Sequence, residues 1–233
     1  MKTSLIAATL NEIEAVRVVL PEISKVGVDE IIVTDGGSTD GTVEFCRESG
    51  YTVVEQTGRG YGSAIRQGVE AATGDIIIEF PPDGNSVASK IPDVVAEIEA
   101  NNYDFVIVSR YKDGAKSYDD DFMTGFGNRM FTGLTNLVFG TSYTDVLVGY
   151  RAYRKEAFMQ LDLDEDGLSW PLQEAVRFHS HGFKVGEIGG DEPERIGGER
   201  KMKPFKTGRD ILSLMYREYR IIRNDKRNKK QAK

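Results

Sequence analysis

A strand-like run ends on a carboxylate and a glycine-rich turn in IIVTDGGSTDGT, residues 31–42. Such β-branched runs are typical of strands that are covered on both faces. Asp40 or Thr39 can cap a helix that begins near Gly41, because side-chain oxygens accept hydrogen bonds from the amides of a helix N-terminus. Asp35 is therefore placed at the carboxyl end of a strand, where open α/β sheets bind ligands. The alternative is that its carboxylate only binds the amides of the turn.

A second polar turn follows another strand-like run in EFPPDGNS, residues 79–86. Asp83 and Asn85 lie two residues apart, so a turn can direct both side-chain oxygens at one hard cation. The same residues also suit an ordinary Pro-Pro-Asp-Gly turn. The spacing indicates a candidate metal site and leaves a purely structural turn open.

Alternating glycines occur in GRGYGSAIRQG, residues 58–68. Their spacing differs from G-x-G-x-x-G, which disfavours a dinucleotide-dependent dehydrogenase. We expect close backbone approach beside a helix N-terminus, which favours binding of a phosphate or serves only a tight turn.

Strand-like runs and amphipathic stretches must position these turns. The runs are TSLIAAT, EIIVTD, YTVVEQ, DIIIEF and DFVIVSR, and stretches of about a dozen residues separate them. This βαβ spacing predicts a single α/β domain with a mainly parallel sheet sandwiched by helices. A helix is expected from about Trp170 to His181, and a final amphipathic helix over roughly 206–223. The apolar side of that last helix contains Ile211, Leu214, Met215, Tyr219 and Ile222.

Composition and charge exclude several classes of protein. The 233 residues are 39% hydrophobic and 29% charged, which is typical of a soluble globular chain. The net charge of −7 argues against a nucleic-acid-binding protein, although the chain becomes basic after Arg195. The single Cys46 cannot form an internal disulfide, which favours the reducing cytoplasm. No apolar run approaches the ~18 residues that a membrane-spanning helix needs.

Several short segments occur in an order that resembles the family-two glycosyltransferases of the GT-A (Rossmann-like) fold. The likeness is greatest to the branch that includes dolichyl-phosphate mannose synthase and other polyprenyl-phosphate sugar synthases, and it spans about residues 3–202. The segments are ATLNE, TDGGSTDGT, GYGSAIRQGVEAATGDIII, SRY, TDVLVGYRAYRKE and ERIGGERK. The resemblance implies a nucleotide-sugar-binding half over 1–110, an acceptor half over 111–204, and a C-terminal helix with a basic tail over 205–233.

The resemblance also implies the roles of individual residues. Asp35 is expected beside the base and ribose of a nucleotide sugar, in a cleft that is also lined by Thr9, Glu12 and Gly37. Asp83 and Asn85 are expected to hold the donor diphosphate through Mg²⁺ or Mn²⁺, which stabilises the leaving group as a Lewis acid. The further phosphate ligands are expected to be Arg110, Arg195 and Lys201.

Two positions depart from the family pattern. Pro81 replaces the first aspartate of the metal motif, so the site has fewer carboxylates. Asp120 stands where the polyprenyl branch has an arginine ahead of its Ser-x-x-x-Asn segment, and the adjacent DDD does not favour an anionic acceptor. The alternative is that this acidic loop is simply solvated.

The acceptor decides whether a general base is needed. A hydroxyl acceptor requires one, and Asp145 is the first candidate, with Glu174 a weaker one. If the acceptor is instead an ionised polyprenyl phosphate, Asp145 positions other groups. A single displacement implies inversion at the anomeric carbon in both cases.

The basic, amphipathic C-terminal segment favours a peripheral position on the cytosolic face of a membrane, with an ordinary packing helix as the alternative. Two other functions stay open. A nucleotidyltransferase shares the broad architecture but carries a Gly-rich, Arg-containing loop where this chain has ATLNEIEA. A non-catalytic nucleotide-sugar-binding protein is the other.

Overall fold

The computed structural model describes residues 1–197 and 202–231, whose strands form one seven-stranded sheet. The sheet has the order β3-β2-β1-β4-β6-β5-β7 and is parallel except at β6. The predicted α/β fold with a mainly parallel sheet is confirmed. The strands are β1 (Thr3–Thr9), β2 (Glu30–Asp35), β3 (Thr52–Glu55), β4 (Ile76–Glu79), β5 (Phe105–Ser109), β6 (Arg151–Arg154) and β7 (Val185–Gly189).

Eight α-helices connect and flank these strands in the described part of the chain. Helix α7 coincides closely with the range expected from the sequence, and the last helix extends further than expected. The helices are α1 (Ile13–Lys25), α2 (Thr42–Glu48), α3 (Tyr61–Ala71), α4 (Ile91–Asn101), α5 (Phe122–Phe139), α6 (Lys155–Phe158), α7 (Trp170–Ser180) and α8 (Pro204–Gln231).

The central strands are apolar because helices cover both of their faces. Every residue of β4 and β5 is buried, and so are most residues of β1. Strand β6 comes from the second half of the chain but lies between β4 and β5, antiparallel to both. The two halves therefore share one sheet.

Helix α8 packs on the body of the protein. Ile211, Leu214 and Met215 are buried in a second core with Leu172 and Val176 of α7. These three residues of the predicted apolar stripe are therefore covered by protein. Within the described residues, no helix has the length and apolar composition needed to cross a bilayer.

Candidate active site

A cavity of about 1200 Å³ opens at the carboxyl edge of the sheet. Its walls follow the ends of several strands, because parallel strands direct their carboxyl ends to one edge. Thr9 ends β1, Pro81 and Asp83 follow β4, and Arg110 follows β5. The N-terminal halves of α5 and α8 form the opposite side of the cavity. The donor-side and acceptor-side segments expected from the sequence therefore meet in one space.

Asp35 shapes the turn after β2. Its Oδ1 accepts hydrogen bonds from the amides of Gly37 and Ser38 at 2.9 and 2.7 Å. Its Oδ2 accepts from the hydroxyls of Thr9 and Ser38 at 2.8 and 2.5 Å. Gly36 lines the cavity, whereas Asp35 and Gly37 are not among the lining residues. The carboxylate does bind turn amides, and its direct contact with a nucleotide stays a prediction.

Asp40 binds the first amides of two helices. Its Oδ1 accepts from the amide of Thr42, where α2 begins, and its Oδ2 accepts from the amide of Ile13, where α1 begins, both at 3.0 Å. Asp40 therefore binds an amide at the start of α2 as expected, although Gly41 occupies the N-cap position. This carboxylate fixes the start of α1 next to Glu12, which lines the cavity.

Arg110 is held by two carboxylates from distant parts of the chain. Its Nε and Nη2 donate to the two oxygens of Asp145 at 2.6 and 2.9 Å, and its Nη1 donates to Glu192 at 3.3 Å. Asp145 is 0% exposed and lies outside the cavity lining, whereas Arg110 and Glu192 line it. Both Asp145 oxygens are thus engaged by a guanidinium group. This geometry favours a positioning role for Asp145 over proton abstraction.

Arg195 joins the metal motif to the donor-side wall. Its Nη2 donates to Asp83 at 2.5 Å, and its Nη1 donates to Glu12 at 3.5 Å. Burial raises the pKa of Asp83, and the positive charge of Arg195 opposes that shift. Asn85 lines the same wall, where its amide group approaches Glu192 at 3.5 Å.

The carboxylates around Arg110 and Arg195 outnumber these two guanidinium groups. With all of them ionised, five carboxylates against two guanidinium groups leave three excess negative charges, which repel a diphosphate in the absence of a cation. The five are Glu12, Asp83, Asp120, Asp145 and Glu192.

The oxygen donors of Asp83 and Asn85 fit Mg²⁺ or Mn²⁺. In the described ranges, no three or more His, Cys, Asp or Glu side chains group so as to hold a metal ion. A pair of protein ligands suits a cation that also binds water and substrate phosphates, as Mg²⁺ commonly does. The residues present therefore fit a metal that arrives with its nucleotide.

The acidic loop near Asp120 is structured. Asp120 accepts hydrogen bonds from the hydroxyl of Tyr111 and from the side-chain amide of Asn128, and it lies 3.9 Å from Arg110. Its side chain is mostly buried. The interpretation of Asp120 as a solvated loop residue is wrong, because these contacts tie it to α5.

The glycine-rich stretch allows close approach of another segment. A Cβ on Gly60 or Gly62 would lie 2.1 Å from the carbonyl oxygen of Asp166 or Glu165, respectively. Of the roles expected for these glycines, close backbone approach is the one observed.

The remaining candidates have different outcomes. Lys201 lies outside the described residues. Glu174 is fully buried, pairs with Arg151 at 2.9 Å and does not line the cavity. The sequence interpretation missed Glu192, which bonds to Arg110 and Ser117. Its signal was weak, because it follows β7, whose sequence VGEIG lacks a continuous apolar run.

Residues 4–162 match the family model described as Glycosyl transferase family 2. The chain belongs to this glycosyltransferase family. It is therefore a nucleotide-sugar-dependent glycosyltransferase, and the nucleotidyltransferase and non-catalytic interpretations are set aside.

Similar curated proteins agree with the branch inferred from the motifs. The dolichyl-phosphate hexose transferase of Haloferax volcanii is 30% identical over 211 residues, covering 89% of this chain and 90% of that protein. Glycosyltransferase AglJ of the same organism is 30% identical over 221 residues, covering 91% and 70%. The undecaprenyl-phosphate mannosyltransferase of Micrococcus luteus is 25% identical over 231 residues, covering 92% and 93%.

A solved structure confirms the GT-A fold. Glucosyl-3-phosphoglycerate synthase from Mycobacterium tuberculosis, in complex with Mn²⁺, uridine diphosphate and phosphoglyceric acid, aligns with a TM-score of 0.77. It is 20% identical, and the alignment covers 94% of this chain and 78% of that one. At this identity the likeness concerns the fold alone.

Proposed function

We propose that this glycosyltransferase moves a hexose from a nucleoside diphosphate sugar to a polyprenyl phosphate, with inversion, at the cytosolic face of a membrane. The observation that carries the proposal is the contact of both Asp145 oxygens with Arg110. A hydroxyl acceptor needs a general base, whereas an ionised phosphate is already a nucleophile. A phosphate acceptor therefore lets Asp145 remain paired while it positions Arg110.

The similar proteins support a lipid-linked acceptor over a small soluble one. The two whose names include a polyprenyl phosphate align over 89% and 92% of this chain and have nearly its length. The phosphoglycerate enzyme shares only 20% identity. The buried free thiol of Cys46 suits the reducing cytosolic side.

The residues divide into a donor side and an acceptor side. Thr9 and Glu12 line the nucleotide cleft, and Asp35 holds the hydroxyl of Thr9 and the amide of Gly37 beside it. On the acceptor side, Lys203 and Lys206 of the α8 region line the cavity and supply positive charge for an acceptor phosphate. The phosphate ligands proposed for the donor are Arg110, Arg195 and Lys201.

A divalent cation is part of the proposal. Asp83 and Asn85 would hold Mg²⁺ or Mn²⁺ together with the donor diphosphate. When bound, the cation stabilises the charge of the leaving nucleoside diphosphate. Arg195 can then exchange Asp83 for a phosphate oxygen, since Arg binds both groups through similar hydrogen bonds.

A transfer assay tests this function. A panel of UDP- and GDP-sugars is incubated with Mg²⁺ or Mn²⁺ and with a polyprenyl phosphate, the matching polyprenol or simple sugars. We expect transfer only to the phosphate, and NMR of the product should show the inverted linkage. Transfer to hydroxyl acceptors alone, or a retained configuration, would contradict the proposal.

Two variants test the metal site in the same assay. Asp83→Asn should remove most of the stimulation by the cation, because the carboxylate is the only charged side chain of the proposed ligand pair. Asp113→Asn changes an exposed carboxylate in the loop after β5 and serves as the matched control. Equal metal dependence in both variants would place the cation elsewhere.

A further inference from the structure

Helix α5 presents an apolar face to solvent. Phe122 is 92% exposed and Leu137 is 82% exposed. The face contains one arginine and no acidic residue, and soluble monomers seldom leave such an apolar patch uncovered. The exposed residues of α5 are Phe122, Met123, Phe126, Arg129, Met130, Gly133 and Leu137.

Helix α8 exposes aromatic residues and arginines. Arg220 lies over the ring of Tyr216 at 5.8 Å, and Arg223 lies over the ring of Tyr219 at 6.0 Å. Among the described side chains of α8, the carboxylates that reach solvent are Asp225 and Asp210, and Asp210 pairs with Arg209 at 3.3 Å. Aromatic rings interleaved with arginines are typical of helices that lie at a membrane surface. The exposed apolar and basic residues include Phe205, Arg209, Leu212, Tyr216, Tyr219, Arg220, Arg223 and Arg227.

The two faces lie side by side next to the cavity. Helices α5 and α8 pack together closely enough that a Cβ on Gly208 would lie 3.4 Å from the ring of Phe131. Both Phe131 and Gly208 also line the cavity. Met123 belongs to the exposed face of α5 and to the cavity lining at once. The cavity therefore opens beside the apolar surface.

We propose that the exposed faces of α5 and α8 form a membrane face that seats the protein on an anionic bilayer. The apolar side chains of α5 enter the interface, and the arginines of α8 contact anionic headgroups. Each basic residue near such a surface adds a favourable electrostatic attraction. This local positive charge offsets the repulsion expected for a chain with a net charge of −7. This inference rests on the proposed lipid-linked acceptor, because the cavity opens toward the lipid when the protein binds through this face.

Charge favours a bilayer over a second copy of this chain. A two-fold dimer brings the same patch of both subunits together. In such a dimer, arginines such as Arg220 and Arg223 of both subunits would lie close together at the interface. The face has too few exposed carboxylates to neutralise these positive charges. An anionic bilayer supplies the opposite charge and an apolar interior together.

Vesicle flotation of the full chain tests the membrane face. Vesicles of phosphatidylcholine alone are compared with vesicles that also contain phosphatidylglycerol. We expect the protein to float with the anionic vesicles and to dissociate as salt is raised. A triple variant, Phe122→Ser, Phe126→Ser and Leu137→Ser, should bind at least about tenfold more weakly, because three inserted side chains are lost. None of the three lines the cavity.

A matched control removes exposed apolar side chains from other surfaces. Val18→Ser with Met159→Ser should leave vesicle binding unchanged, since Val18 lies on α1 and Met159 follows α6. The triple variant should keep its melting temperature, because its side chains are exposed. Equal flotation of the triple variant and this control would overturn the proposal, as would failure of the intact chain to float with anionic vesicles.

Two further measurements separate the remaining explanations. Sedimentation of an intact dimer that the triple variant makes monomeric, without vesicle binding, would identify the face as a contact between copies and overturn the proposal. Transfer to detergent-dissolved polyprenyl phosphate should be unchanged in the triple variant, while transfer on vesicles should fall. Anionic vesicle binding without transfer under any condition would contradict the proposed acceptor and leave the membrane face standing.

Discussion

Two arginines supply positive charge to the cavity, and in the protein without substrate each of them is paired with carboxylates. Arg110 contacts Asp145 and Glu192, and Arg195 contacts Asp83. Such pairing offsets the desolvation cost of the buried charges while no substrate is bound. We expect the donor diphosphate and its cation to rearrange the partly buried contact between Arg195 and Asp83 and to leave the pair of Arg110 with the fully buried Asp145 intact.

At the residue scale, Asp35→Ala should weaken donor binding about tenfold or more. The change removes the acceptor of two turn amides, whose loss costs more than about 1 kcal/mol. Calorimetric titration with the preferred donor measures the effect. Asp29→Ala is the matched control. Asp29 accepts hydrogen bonds from Thr3 of β1, as Asp35 does from Thr9, but it lies before β2, at the edge of the sheet opposite the cavity. Undiminished affinity in Asp35→Ala would exclude this turn from the donor site.

A second residue-scale prediction concerns Glu79, which is fully buried at the end of β4. Burial, reinforced by the charge of Glu174, raises the pKa of Glu79 well above its usual value. Glu79 accepts a hydrogen bond from Tyr153 at 2.8 Å. Oε1 of Glu174 has no assigned hydrogen-bond partner among the described residues, and a protonated Glu79 can donate to it. We therefore expect Glu79 to fold in its neutral form.

The sign of the pH dependence follows from that raised pKa. The stability contributed by neutral Glu79 is complete below the ordinary glutamate pKa and is lost as the pH rises through the raised one. Between the ordinary glutamate pKa and the raised one, the free energy of unfolding should fall by about 1.4 kcal/mol per pH unit. Glu79→Gln should remove this slope in urea unfolding at pH values above the ordinary glutamate pKa, whereas exposed Glu70→Gln should keep it. Parallel curves for both variants would mean that Glu79 folds ionised.

At the element scale, glycine allows segments to pack closely around the cavity. Helix α3 begins beneath the loop that precedes α7, where Gly62 approaches the backbone of Glu165 and the ring of Trp170. Arg151 links two other cavity-lining segments by donating to the carbonyl oxygens of Val148 and Pro171. The cavity wall therefore depends on contacts between elements that are distant in sequence.

Gly62→Ala should destabilise the protein by about 1–3 kcal/mol, because the new methyl group overlaps the backbone and forces a shift. Its Cβ would lie 2.1 Å from the oxygen of Glu165. Gly133→Ala is the matched control in α5, where an added Cβ meets nothing within 4 Å. That change should add about 0.5–1 kcal/mol through helix propensity. Chemical denaturation measures both, and equal stability of the two variants would refute the close-approach role.

At the scale of the whole molecule, α8 completes both the second core and the cavity. Its buried Glu218 pairs with Arg177 of α7 at 2.5 Å. A chain that ends at Lys203 should therefore melt at least about 10 °C lower, since each buried apolar side chain contributes about 1.5–3 kcal/mol. A chain that ends at Asn224 keeps these contacts and should melt near the intact protein in circular dichroism. Similar melting of all three chains would mean that α8 docks only weakly.

Much of the fold was predictable from local pattern. All five strand-like runs form strands, because β-branched residues pack well on the pleated surface of a sheet. The placement of Asp35, Asp83 and Arg110 near one edge also followed from the sequence, since each ends or follows a parallel strand. The order of the motifs was sufficient to indicate the glycosyltransferase family.

Tertiary structure alone decided which of these groups contact one another. Arg110 meets Asp145 and Glu192 across separations of 35 and 82 residues, and no local pattern encodes such pairs. It also decided what covers each apolar side of a helix. Periodicity shows that α8 and α5 have such sides, but burial depends on the neighbours that the fold supplies. Protein covers Ile211 and Met215, whereas Phe122 faces solvent.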